Sequence, residues 1–351
     1  MDISIFTILA QDGITSGAIY ALLSLALVLV FSVTRVIFIP QGEFVAFGAL
    51  TLAAMQAGKF PHSATLLVGL GIATFAMESW STLLSRELRT MAAKSVPLSF
   101  AKFIVLPIAL YLIANFYGNP DLHLFLQILL TLAIVIPMGP MVYRLAFQPV
   151  AEATTLVLLI VSVGVHFALL GVGLVMFGAE GSRTTPFSDA RFEVGVLAIS
   201  GQSLVIVGTS VALIIALYLY FERTLSGKAL RATAVNRLGA RLVGIGTTQA
   251  GRLAFTLAAA MGALCGILIA PLTTVYYDSG FLIGLKGFVG AIIGGLGSYP
   301  IAAAGSLMVG LLESYSSFWA SALKEVIVFT LIIPVLLWRS LRSSHVEEGE
   351  Q

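Results

Sequence analysis

Residues 13–33 read GITSGAIYALLSLALVLVFSV, with no Lys, Arg, Asp or Glu among them. At about 1.5 Å of rise per residue, a helix of this length crosses the roughly 30 Å hydrocarbon core of a bilayer. The same reading repeats along the chain. Residues 64–84, 122–143, 155–178, 200–221, 251–271, 301–319 and 322–339 are comparable apolar stretches. Three more are short or interrupted. Segment 43–57 follows Pro40 and Gly42, segment 103–117 is brief, and segment 281–296 carries Lys286 and five glycines. The pattern predicts an all-α polytopic membrane protein with 8 to 11 transmembrane helices.

Composition agrees. Of 351 residues, 58% are hydrophobic and 10% are charged, against about 25% charged in soluble domains. A soluble fold could not hide that much apolar surface. A lone cysteine, Cys265, excludes an internal disulfide framework or a multi-cysteine metal site. Residues 1–11 contain no Lys or Arg, so a signal peptide with a basic leading region is not expected.

Fourteen of the 19 Lys and Arg residues fall on one side when the spans alternate. That side holds Arg35, the 85–102 linker, Arg144, the 222–250 loop with Arg252, and the carboxyl-terminal Arg339 and Arg342. Lys59, Arg183 and Arg191 fall on the other, while Lys286 and Lys324 lie within or at the edge of spans. Basic loops face the cytoplasm. The expectation is an eleven-span chain with its amino terminus outside and its carboxyl terminus in the cytoplasm. A re-entrant 43–57 would move only the amino terminus. Residues 1–339 then form one transmembrane domain, with an external loop at 179–199, a cytoplasmic loop at 222–250 and a polar tail at 340–351. The pairs Gly13/Gly17, Gly262/Gly266 and Gly290/Gly294 have the spacing that lets helix backbones approach closely, and they are expected to pack inside the subunit.

Chemistry-bearing motifs are sparse. Four scattered histidines lack a HExxH or cysteine partner, no GxSxG elbow occurs, and Ser226-Gly227-Lys228-Ala229 lacks the spacing of a phosphate-binding loop. Neither an enzyme, a resident cofactor nor a metal is expected, and nucleic acid is not expected as a partner. If transport is driven by ATP, a separate chain must hydrolyse it.

Two features stand out. Within 222–250, residues 227–242 read as one short amphipathic helix with Leu230, Ala234, Leu238 and Leu242 on a stripe and Arg231, Arg237 and Arg241 elsewhere, ended by Gly244. It fits a helix lying on anionic lipid or one docking on a cytoplasmic partner. The second feature is a pair of broken segments, one in each half of the chain. The first is Pro40-Gln41-Gly42-Glu43. The second is Gly284-Leu285-Lys286-Gly287, running on to Gly295-Leu296-Gly297-Ser298. Interrupted spans in corresponding halves point to a transport pathway. Gln41, Gly42, Glu43, Lys286, Gly295 and Ser298 are its candidates. Simpler roles compete: Lys286 could snorkel to a surface, and Glu43 could cap a helix dipole.

Gly17-Ala18-Ile19-Tyr20-Ala21-Leu22, Gln41-Gly42-Glu43-Phe44, the 227–245 loop, Gly284-Leu285-Lys286-Gly287-Phe288 with Gly294-Gly295-Leu296-Gly297-Ser298, and Lys324-Glu325-Val326 occur in that order. Together they resemble the branched-chain amino acid ABC transporter permease family. The resemblance implies a type II importer-like permease in a bacterial inner membrane, with broken helices in both halves. It also implies two cytoplasmic ATPase subunits, a second similar permease, a periplasmic binding protein and surrounding membrane lipid. The ATPase contact would map onto Arg231, Ala234, Leu242 and Gly244, with Arg241 on the same loop. Two departures are visible. The family usually has His before Gly-Glu, where this chain has Gln41, and the 85–122 region is longer than usual. Relatives that carry urea or short amides define an alternative substrate class. An ion-coupled carrier would need more intramembrane carboxylates than Glu43, Glu78 and Glu313 supply.

Overall fold

The structure, a computed structural model, describes residues 3–84, 97–117, 122–194 and 197–343. It is a helical bundle with one small β-hairpin, β1 (Arg191–Val194) and β2 (Leu197–Ser200). Eight helical segments among the described residues are long and apolar enough to cross a membrane, and Ser279–Ile293 is a shorter apolar helix. All eleven stretches marked in the sequence are helical along most of their length. Most of the 85–102 linker and residues 344–351 of the polar tail lie outside the described residues.

The bundle is organised around α1 (Ile3–Thr34), which is buried over most of its length. It packs on α11 (Thr247–Ile269), α12 (Ser279–Ile293) and α13 (Tyr299–Trp319). Small residues allow this. A Cβ on Gly13 would meet Leu311 of α13, and one on Gly17 would meet Leu307. Gly262 and Gly266 of α11 seat α2 (Gln41–Gln56) in the same way, and Gly290 and Gly294 face Ser306 and Ala302. All three glycine pairs therefore pack inside the subunit. Such close approach is what drives helix association where the solvent is itself apolar. On the periphery, α8 (Gly201–Arg223) and the last helices, α14 (Lys324–Thr330) and α15 (Ile332–Ser343), expose Ile215, Leu219, Val326 and Leu337 as surface for lipid.

The remaining spans are α3 (Ser63–Leu84), the run Pro97–Phe116 that ends in α4 (Leu106–Tyr117), α5 (Leu124–Val135) with α6 (Met138–Val142), and α7 (Thr155–Phe177). One end of the bundle gathers Arg35, Arg144, Arg231 and the turn at Gly295–Tyr299. The other carries the hairpin and the 179–199 loop, where Arg183 donates to the Pro271 carbonyl and Gln56 accepts from Thr185.

The basic loop differs from its sequence reading. It forms two helices, α9 (Leu225–Val235) and α10 (Arg237–Leu242). Asn236 ends the first and caps the second, its side chain accepting from the Gly239 N–H. This local bond competes with a continuous helix. The expected stripe breaks accordingly: Leu230 is buried, whereas Leu238 and Leu242 are 69% and 82% exposed. Gly244, at φ 85°, closes the second helix.

Candidate functional site

The chain leaves α1 at Arg35, which has φ 61°, and runs non-helically through Val36–Ile39 before α2 begins. Val36 and Phe38 are buried, so this extended backbone lies inside the protein. Its polar groups need internal partners. The Ile39 N–H finds one in the Ser162 hydroxyl of α7, 3.0 Å away. The Gln41 N–H bonds the Phe38 carbonyl. A second irregular stretch, 270–278, leads into α12 and is tied by an isolated bridge between Val275 and Ser182.

These two breaks bring the first turns of α2 and α12 together. A Cβ on Gly42 would overlap the Gly280 carbonyl, and one on Gly280 would overlap the Gly42 carbonyl. No side chain fits there, which is why both positions hold glycine. Around this junction the side chains are polar and buried. Gln41 donates from Nε2 to the Ala258 carbonyl, 3.0 Å away. Glu43 Oε1 lies 2.7 Å from His166 Nδ1, and the Phe281 ring stacks on the imidazole at 4.6 Å. Oε1 of Gln41 and Oε2 of Glu43 have no hydrogen-bond partner among the described residues. Next to Gln41 lies a cavity of about 200 Å³ whose walls include Leu27, Phe38, Leu159 and Phe288. Aligned backbone dipoles give each helix start a partial positive charge. The junction thus combines two positive helix ends, an amide, a carboxylate–imidazole pair and an apolar cavity.

Lys286 lies elsewhere on α12. It is 6% exposed, with Nζ 2.5 Å from Glu313 Oε1 and 3.1 Å from Glu325 Oε1. Tyr20 donates to the other oxygen of Glu313 at 2.5 Å. Lys286 therefore ties α1, α12, α13 and α14 together and does not snorkel to a surface. Glu325 serves this lysine rather than its neighbour Lys324. A polar cleft of about 400 Å³ opens beside Glu313, lined also by Asp12, Ser16 and Ser317.

Gly295 and Ser298 sit at the basic end. Gly295, Leu296 and Tyr299 line a groove of about 330 Å³ with Arg231, Ala234 and Arg35. Arg231 pairs with Glu222 at 2.5 Å, and Arg241 reaches Glu152 at 2.9 Å and the Thr247 hydroxyl at 3.1 Å. The six pathway candidates thus divide into three places. Gln41, Gly42 and Glu43 share the helix junction, Lys286 holds the ion-pair cluster, and Gly295 and Ser298 flank the loop. The sequence reading missed Ser162, His166 and Phe281. Ser162 and His166 stand four apart on an otherwise apolar helix, a one-face polar pair that could have been read.

Over residues 9–336 the sequence matches the family described as branched-chain amino acid transport system / permease component. The chain belongs to this permease family. Among relatives, the high-affinity branched-chain amino acid transport system permease protein BraD of Pseudomonas aeruginosa is 26% identical over 342 residues. That match covers 93% of the permease and 92% of BraD. The corresponding protein LivH of Escherichia coli strain K12 is 31% identical over 206 residues, 57% of the permease and 67% of LivH. A probable branched-chain amino acid transport permease protein LivH of Methanocaldococcus jannaschii is 26% identical over 184 residues, 51% of the permease and 58% of the relative. No solved structure matches at a significant level. The permease is a multi-pass membrane subunit of a transport system.

Proposed function

We propose that this permease carries branched-chain or related amino acids across a bacterial inner membrane as one subunit of an ATP-driven importer. The α2–α12 junction is the observation that carries the reading. Two helix starts favour a carboxylate, Gln41 and Glu43 offer further polar atoms, and the neighbouring cavity of about 200 Å³ suits a branched aliphatic side chain. An apolar cavity gives urea or a short amide little to bury.

The rest of the complex follows from the family resemblance. The complex holds two ATPase subunits, and the 222–250 loop meets the ATPase through Arg231, Ala234, Arg241, Leu242 and Gly244. A second, similar permease completes the membrane part. A binding protein delivers substrate to the 179–199 loop. The amino terminus lies outside and the carboxyl terminus in the cytoplasm, with residues 1–339 forming the transmembrane domain.

The test is reconstitution of the permease with its ATPase, partner permease and binding protein in liposomes. ATP-dependent leucine uptake is expected, and Leu159→Trp, which fills the cavity, should lower leucine uptake more than alanine uptake. Uptake by this chain alone on an ion gradient would overturn the proposal.

A further inference from the structure

A cluster of arginines at the basic end remains unused by the transport reading. Arg144 lies in the π-helical turn Tyr143–Phe147 that follows α6, and Gln148 follows one turn later. Arg252, near the start of α11, reaches Gln148 Oε1 at 3.5 Å, and Arg237, at the start of α10, donates to the Ala151 carbonyl at 3.0 Å. All three guanidinium groups lie within electrostatic reach of Tyr143. Their Nε atoms are screened from solvent and have no hydrogen-bond acceptor among the described residues. The Arg144 side chain makes no hydrogen bond to any described residue.

Among the described residues, nearby carboxylates do not balance this charge. Glu152 is held by Arg241 on the outer side of the loop. Glu78 of α3 lies within electrostatic reach of Arg144, but Arg252 does too, and repels it. Among the described residues, three half-buried cations with a single carboxylate in reach of Arg144 are an arrangement that favours an anion. The position narrows the anion's chemistry. Arg144 and Arg252 lie within about two helical turns of the ends of the spans Leu124–Val150 and Thr247–Ile269, close enough for a long side chain to reach the headgroup level. A guanidinium presents a planar fork of donors that matches phosphate oxygens. Basic pockets between span ends on the cytoplasmic side suit anionic headgroups.

We propose that Arg144, Arg237 and Arg252 form a binding site for the phosphate of an anionic phospholipid headgroup, bracing the loop helices against α6 and α11. Free inorganic phosphate shares the chemistry and is the other source to distinguish.

Native mass spectrometry of the full chain, released from detergent micelles with phosphatidylglycerol or phosphatidylcholine, tests the site. The parent should retain phosphatidylglycerol preferentially, and millimolar inorganic phosphate should not displace it. Arg144→Gln with Arg252→Gln should lower that retention at least about tenfold, as removing two cations near a headgroup implies. Arg35→Gln, at the same end but outside the cluster, should retain it. Phosphatidylglycerol should also raise the melting temperature of the parent and of Arg35→Gln but not of the double variant. Should the double variant fail to fold, single Arg237→Gln in the exposed loop must show reduced retention. Equal retention of the two lipids, retention unchanged in the cluster variants, or displacement by phosphate would each overturn the proposal. So would variants that keep the lipid and lose only ATPase co-purification, since the cluster would then be a protein contact.

Discussion

The carboxylate of Glu43 and the imidazole of His166 meet at 2.7 Å, 123 residues apart in sequence, with both side chains buried. One belongs to the first turn of the helix that follows the non-helical entry, the other to the middle of α7. The contact locks the broken segment to an unbroken span.

Breaking this pair from one side should cost more than removing it whole. His166→Leu leaves the Glu43 carboxylate buried without its partner, at a cost of about 1–3 kcal/mol. Glu43→Gln combined with His166→Leu should recover part of that loss, because neutralising the carboxylate lowers its desolvation cost. Thermal melts of the four proteins in detergent form a double-mutant cycle. Strict additivity would show that the two side chains do not interact.

Gly42→Ala places a methyl group against the Gly280 carbonyl. Backbone lies on both sides, so rotamer changes cannot relieve the clash, and overpacking of about 1–3 kcal/mol is expected. Gly69→Ala, whose Cβ would meet nothing within 4 Å, is the control and should be neutral. Size-exclusion profiles and melting temperatures compare the two. Equal behaviour would mean that α2 and α12 do not approach so closely.

Lys286→Met removes the cation between Glu313 and Glu325 and should destabilise the bundle by about 3–5 kcal/mol, the range for a broken buried ion pair. Most of this comes from Glu313, which is the more buried carboxylate. Adding Glu313→Gln should restore a substantial part, with Tyr20 still able to bond the amide. A single variant as stable as the parent would place Lys286 in lipid or water instead of this cluster.

The loop should couple to the ATPase without being needed for insertion. Gly244 has φ 85° and open space at its Cβ position, so the penalty of Gly244→Val is backbone strain alone, about 1–3 kcal/mol. Asn, which tolerates positive φ, should be milder. Arg231→Glu reverses a charge now paired with Glu222. Membrane expression should stay near normal for the valine and glutamate variants while ATPase co-purification or binding-protein-stimulated hydrolysis falls. Full assembly, hydrolysis and uptake in both would make the loop a lipid-surface element.

The 179–199 loop should face outward. Ser188 packs against Gly201, so the exposed Asp189 is the better probe. Asp189→Cys, in a background where Cys265 is replaced, should react with an impermeant thiol reagent on intact spheroplasts. Reaction only after lysis would invert the topology.

Hydrophobic length determined the long spans, since a bilayer demands about 20 apolar residues of helix and each such stretch declares itself locally, but it did not determine the shorter α2 and α12. The glycine pairs were equally legible, because a helix repeats its contact face every three or four residues. The break at Pro40–Gly42 could also be read, as a local failure of that regularity. The second was expected within Gly284–Gly287, but α12 is continuous there, and the irregular backbone lies at 270–278 before it and at 294–298 after it. What the sequence could not supply was which break meets which. The Gly42–Gly280 approach, the Glu43–His166 contact and the use of Lys286 by Glu313 and Glu325 join residues from distant spans. Nothing in local spacing selects among the possible pairings. The bend at Asn236 lay in plain view, but whether its side chain would cap the next turn or point into water depended on the turn that followed. The packing of α2 on α11 and α12, and of α12 on α13, made those choices, because it lets the backbones touch at glycine and brings Glu43 to His166 and Lys286 to Glu313.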